Sequence, residues 1–144
     1  MSQRIKAVAA IVATVVSTAA AAQSASLEHF LEQWDGNGDA IVTRAEIRQG
    51  REQRFYAFDV DGNGYIDQQE YARFDKVREA GIARFSPEDQ VNIRRVAKGL
   101  TREWNDADGD GRVSRAEFLD GGDTWLKALD KDGDGAVTLK DLGP

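Results

Sequence analysis

Apolar residues are distributed along this chain in three distinct ways. The first 26 residues contain no Asp or Glu, and Ala7 to Val16 is almost wholly apolar after a basic start at Arg4 and Lys6. Further on, Tyr71, Phe74, Val77 and Phe85 form one apolar stripe of helical character, and Ile93, Val96, Leu100 and Trp104 form another. Between those stripes Ser86-Pro87-Glu88-Asp89 reads as a turn into a helix. Ser86 supplies a cap, Pro87 suits the first helical position, and the two acids favour the first turn. Elsewhere single apolar residues, Val42, Ile66, Val113 and Val137, stand inside stretches dominated by Asp and Gly.

The first pattern describes a secretory leader. A basic start, an apolar stretch and small residues at Ala20-Ala21-Ala22 before Gln23 fit a signal peptide over residues 1–22, followed by a domain over 23–144. A membrane anchor is the alternative, but Ala7 to Ala22 offers only 16 mostly Ala residues, against the roughly 20 a span needs. The expectation is a periplasmic or secreted bacterial protein with no stable membrane anchor after cleavage.

Charge then narrows the partners. The 144 residues carry 25 acids against 19 bases, a formal −6; loss of Arg4 and Lys6 with the leader leaves a net −8 on 122 residues. That sign argues against nucleic acid and anionic membranes as partners. There is no cysteine, so disulfides do not stabilise the fold, and bound metal becomes the obvious substitute.

The isolated apolar residues mark four copies of one 12-residue segment. Copy one runs Asp35-Gly36-Asn37-Gly38-Asp39-Ala40-Ile41-Val42-Thr43-Arg44-Ala45-Glu46. Copy two runs Asp59-Val60-Asp61-Gly62-Asn63-Gly64-Tyr65-Ile66-Asp67-Gln68-Gln69-Glu70. Copy three runs Asp106-Ala107-Asp108-Gly109-Asp110-Gly111-Arg112-Val113-Ser114-Arg115-Ala116-Glu117. Copy four runs Asp130-Lys131-Asp132-Gly133-Asp134-Gly135-Ala136-Val137-Thr138-Leu139-Lys140-Asp141.

These segments match the EF-hand loop pattern D-x-[DN]-x-[DN]-G-x₅-E. A hard cation such as Ca²⁺ takes six to eight oxygens, and a 12-residue loop can wrap one ion. Positions one, three and five bring side-chain oxygens: Asp35, Asn37 and Asp39; Asp59, Asp61 and Asn63; Asp106, Asp108 and Asp110; Asp130, Asp132 and Asp134. The carbonyls at position seven belong to Ile41, Tyr65, Arg112 and Ala136, and position nine offers Thr43, Asp67, Ser114 and Thr138, directly or through water. Position twelve, Glu46, Glu70, Glu117 and Asp141, closes the shell. Asp/Gly turns between helices are common, but four copies that all carry an apolar eighth residue are not explained that way. Fifteen carboxylates fall at ligand positions, and without a cation they repel one another.

The copies are unequal. Loops two and three keep every expected residue and are expected to bind tightest. Loop one has Ala40 where Gly is expected, which costs on the order of 1 kcal/mol at positive φ. It also has Asn37 at position three. Loop four ends in the shorter Asp141, which is expected to weaken calcium there and narrow its preference over Mg²⁺.

Spacing predicts how the loops pair. Only 12 residues separate loops one and two, and 12 separate loops three and four, about 18 Å of helix. Each pair is expected to share one helix. Tyr71 to Asn105 spans 35 residues, room for two helices and a turn. Loops two and three are then expected to meet as one pair, and loops one and four at the far end.

Other residues read more plainly. His29, the only histidine, is expected on the surface rather than on a metal. Trp34, Trp104 and Trp125 are expected in the core. Arg94, Arg95, Lys98 and Arg102 read as a solvated basic face. With no Cys and one His no nucleophile–base pair can be assembled, so no catalysis is expected. The Met-rich grip of calmodulin-like target binding is absent from the sequence after the leader.

The four loops identify the chain as a member of the EF-hand superfamily, and the leader makes it resemble bacterial periplasmic EF-hand proteins. That resemblance implies an all-α domain of helix–loop–helix units holding up to four calcium ions and acting as a buffer or sensor. The 12-residue spacers also resemble those of lanmodulin, a periplasmic lanthanide binder, which implies selectivity for trivalent ions. Lanmodulin loops carry Pro at position two, where this chain has Gly36, Val60, Ala107 and Lys131, so calcium leads. Asp141 at position twelve resembles dockerins, which implies a third reading, a calcium-dependent module for an unidentified protein partner.

Overall fold

The computed structural model describes residues 18–143, with side chains from residue 25. The leader expected over residues 1–22 lies for the most part outside them. The described elements are α1 (Thr18–Trp34), β1 (Val42–Thr43), α2 (Arg44–Phe58), β2 (Tyr65–Ile66), α3 (Gln68–Ile82) and α4 (Pro87–Ala97). A 3₁₀ turn (Lys98–Leu100), α5 (Arg102–Asn105), β3 (Val113–Ser114), α6 (Arg115–Leu129), β4 (Ala136–Val137) and α7 (Leu139–Leu142) follow. No helix among the described residues is long and apolar enough to cross a membrane.

As the spacing predicts, one helix joins each close pair of loops. α2 runs from loop one into loop two, and α6 from loop three into loop four. The two-residue strands then cross-link the loops. Ile66 lies opposite Val113 in antiparallel register, joining loops two and three. Val42 lies opposite Val137, joining loops one and four. All four of these eighth-position residues are fully buried, each worth about 1.5–3 kcal/mol relative to exposure. The expected pairing is therefore the observed one.

Pairing at both ends forces α2 and α6 to lie antiparallel against each other, and two small cores form along them. One gathers Phe30, Trp34, Ile47, Trp125 and Leu129 near loops one and four. The other gathers Phe55, Tyr71, Phe74 and Phe118 near loops two and three. Ion pairs Arg44–Asp123 at 2.5 Å and Arg115–Glu52 link the same two helices on their exposed edges. Such surface pairs add little stability; the packing between them matters more.

Between the two cores lies Arg51, a fully buried arginine of α2. It donates through Nε to the carbonyl of Phe118 at 2.6 Å, through Nη1 to that of Gly99 at 3.0 Å, and through Nη2 to Asn105 Oδ1. Its guanidinium also lies 4.4 Å from the Phe118 ring centroid. Burial pushes its pKa down to about 10, so the group is charged at neutral pH and is held by neutral acceptors and an aromatic face. Gly122 of α6 makes the space: a Cβ there would come within 2.6 Å of Arg51 Cδ.

Three expectations need correction. The stripe Ile93, Val96, Leu100 and Trp104 is not one helix, because the backbone turns extended at Thr101 (φ −72°, ψ 158°). Gly99 just before that break packs so closely on Trp125 that no side chain fits, and the chain leaves the helix there to aim α5 at loop three. Val77, a member of the apolar stripe with Tyr71 and Phe74, is 67 % exposed, since the side of α3 that carries it faces a cavity rather than a neighbour. His29 is half-buried rather than on the open surface, its ring 4.9 Å from that of Phe85.

Other expectations stand as stated. Ser86 caps α4 by accepting from the Asp89 N–H, with Pro87 in the first turn. Trp34 and Trp125 are buried, and Trp104 packs against the first core. Of the expected basic face, Arg94, Arg95 and Lys98 are exposed and Arg102 is half-buried, and Arg94 pairs with Glu79.

Candidate metal centres

Each loop is folded by its own side chains in the same way. The position-one aspartate accepts backbone N–H groups from the far side of the turn: Asp35 Oδ2 from Ala40 at 2.9 Å, Asp59 Oδ2 from Gly64 at 2.9 Å, Asp106 Oδ2 from Gly111 at 3.0 Å, and Asp130 Oδ2 from Gly135 at 2.8 Å. The position-five side chain accepts from position seven, as Asp110 Oδ1 does from the Arg112 N–H at 2.8 Å. This curl requires left-handed backbone at position six, where Gly64, Gly111 and Gly135 have φ of 84–90°. Ala40 takes φ 63° at the same place in loop one, alone among non-glycine described residues. Position four is left-handed as well, and Gly fills it in every loop, a requirement the repeated glycine spells out although the ligand pattern omits it.

The twelfth residue ties each loop to the helix that follows. In all four loops residues nine and twelve form a capping box at that helix, at α2, α3, α6 and α7. Thus the position-nine side chains Thr43, Asp67, Ser114 and Thr138, expected as ligands, are engaged as N-caps. The twelfth carboxylate straddles the loop: Glu70 accepts from Val60 at 2.7 Å and from Asp67 at 3.0 Å, one oxygen each. Asp141, although shorter, takes the same two positions, accepting from Lys131 and Thr138, both at 2.8 Å. α7 starts at the tenth loop position, as the helices after the other loops do, and Asp141 is fully buried.

These constraints converge carboxylates. One oxygen from each of Asp59, Asp61 and Glu70 lies within 4.8 Å of the others, and likewise for Asp106, Asp108 and Glu117 and for Asp130, Asp132 and Asp141. Loop one forms no such group of acids among the described residues, since Asn37 replaces the third-position acid. Asp39, Asp110 and Asp134, at position five, also lie outside the groups.

Electrostatics inside the groups favours a cation. At Asp108 the Asp110 N–H lowers the carboxyl pKa, yet partial desolvation and the charges of Asp110, Glu117 and Asp106 together raise it. Asp132 is raised in the same way, with Asp134 and Asp141 as its charged neighbours. At Glu117 burial raises the pKa, but hydrogen bonds from Ser114, Asp108 and Ala107 outweigh it and hold the carboxylate low. The groups of loops three and four thus pair a stabilised anion, Glu117 or Asp141, with one that resists ionising, Asp108 or Asp132, a balance a divalent ion reverses.

One atom tests the fit directly. Asp106 Oδ1 is buried and has no hydrogen-bond partner, although it belongs to a residue of the loop-three group. A buried carboxylate oxygen without a donor is costly, and a cation between Asp106, Asp108 and Glu117 would satisfy it. The oxygen-only donor set is that of a hard ion such as Ca²⁺.

Known families agree with this geometry. The family model described as EF hand matches residues 52–75, 106–120 and 123–143, which contain loops two, three and four. Loop one, with Ala40 and Asn37, falls outside the matched segments. No solved structure matches the chain. EF-hand segments indicate calcium binding, and the family is typically non-enzymatic. Three matched segments on a mainly helical frame of paired acidic loops support membership of the EF-hand superfamily.

Proposed function

We propose that the protein is an exported calcium-binding protein, a buffer or sensor, that takes up to four ions with loops two and three the tightest. The observation that carries this reading is the convergence of Asp106, Asp108 and Glu117 around the unpartnered Asp106 Oδ1. Loops two and three have the full set of expected residues and are hydrogen-bonded to each other through β2 and β3, so order in one supports the other. Export rests on the leader-like residues 1–22. Calorimetric titration of calcium into the metal-free chain is the test. Two tight sites followed by weaker ones are expected; no binding at millimolar calcium would end the proposal. Emission from Trp34 and Trp125 read during the titration separates the roles, since a sensor changes their surroundings and a buffer does not.

A second reading, selectivity for lanthanides, is favoured by one feature: α2 and α6 each run directly from loop to loop, the spacing that resembles lanmodulin. Tyr65 at position seven of loop two can sensitise bound terbium. Terbium emission that survives millimolar calcium would replace the calcium reading with this one.

A further inference from the structure

A cavity of about 970 Å³ lies between α1, α3 and α4, with the ends of α2 and α7 and part of α6 completing its wall. That is the upper end of the range for pockets that take small organic ligands. Phe30, Trp34, Phe58, Phe74, Ile93 and Leu142 give it an apolar lining, suited to a flexible hydrocarbon body.

Its charges oppose those of the chain as a whole. The protein carries a net −6, yet this wall holds Arg54, Arg78, Arg84 and Arg95 against one acid, Glu28. Arg78 is engaged by Asp75 at 2.8 Å. Arg54 is different: it is half-buried, stacks 4.0 Å from the Trp34 ring centroid, and donates to the carbonyl of Gly50 at 3.0 Å and to Gln33 Oε1 at 2.8 Å. All its acceptors are neutral. A half-buried guanidinium in an apolar wall is complemented by one anion. Arg84 and Arg95 are exposed and add positive potential around it.

We infer that this cavity binds a long-chain carboxylate, with its hydrocarbon tail against the aromatic lining and its head on Arg54. A monoanionic head matches the one half-buried cation of this wall without a carboxylate partner, and the tail matches its aromatic and aliphatic part. None of the candidate metal ligands lines the cavity.

Sodium dodecanoate, below its micelle concentration, is titrated into the full chain while Trp34 and Trp125 emission is read, with dodecyltrimethylammonium as the oppositely charged probe. Saturable one-to-one binding of dodecanoate is expected, with the cation at least about tenfold weaker. Arg54→Gln should weaken dodecanoate about tenfold, while Arg54→Lys, which keeps the charge, retains most of the affinity. Gly81→Phe gives an independent readout: Gly81 lines the cavity and its added Cβ meets nothing within 4 Å, so the ring is expected to occupy the cavity and abolish binding, with circular dichroism checking that the helices are kept. Equal binding of both probes overturns the inference, as does dodecanoate binding that Gly81→Phe leaves intact. Absence of saturable binding by the folded wild-type chain overturns it too.

Discussion

The guanidinium of Arg51 donates a hydrogen bond to the side-chain oxygen of Asn105, the residue immediately before the first aspartate of loop three. Asn105 in turn donates to the carbonyls of Gly99 and Thr101, at 3.1 and 2.7 Å. A residue in the middle of the helix shared by loops one and two thereby fixes the short helix that feeds loop three. Asn105→Ala is expected to cost about 2–3 kcal/mol, because a buried charged donor loses its acceptor. Urea unfolding of the calcium-loaded variant measures this, and a loss below about 0.5 kcal/mol would show that the contact is idle.

The same arginine dictates what α6 can carry. Gly122→Ala should gain helix propensity, about 1 kcal/mol, on an exposed face. Here the added methyl meets Arg51 Cδ and Ile47, so net destabilisation of about 1–2 kcal/mol is expected from overpacking. A raised thermal midpoint for this variant would contradict the close packing of α2 on α6.

Loop one bears a strain that can be removed. Ala40 holds φ 63°, and Ala40→Gly relieves on the order of 1 kcal/mol of left-handed strain, partly offset by the greater freedom of Gly in the unfolded chain. Calcium affinity at this loop is expected to rise a few-fold, and calorimetry resolves it as strengthening of a weak site with the tight sites unchanged.

Glu117 serves both the loop and the helix. Glu117→Gln should weaken calcium at loop three by at least about tenfold through loss of a charged ligand. It should cost little helix, because Gln also completes a capping box. Circular dichroism unchanged at saturating calcium, with one tight site lost in the titration, is the expected pair of results.

Acid should oppose metal binding in a predictable direction. Asp108 and Asp132 have raised pKa values in the metal-free groups, so they begin to take up protons at a higher pH than free aspartate, near 4. A cation restores their charged form, and calcium added at about pH 5 should release protons, with little release at pH 8. Binding heats compared in two buffers of different ionisation enthalpy count those protons. Asp108→Asn should reduce the release.

The sequence by itself determined the loops, the candidate ligands Asp59 to Glu70 and Asp106 to Glu117, the shared helices and the pairing of loops. All of these are local or follow from chain length: a 12-residue turn needs its oxygens and glycines at fixed positions, and 12 residues of helix cannot fold back on themselves. The contacts of Arg51 with Gly99, Asn105 and Phe118 were set only by tertiary structure, because they join residues 48 to 67 positions apart and a charged residue mid-helix ordinarily reads as exposed. The break at Thr101 was hidden for the same reason, since it depends on Trp125 pressing on Gly99. The cavity beside Arg54 is likewise tertiary: it is the space left where α1, α3 and α4 diverge, and no spacing of residues encodes a gap between helices.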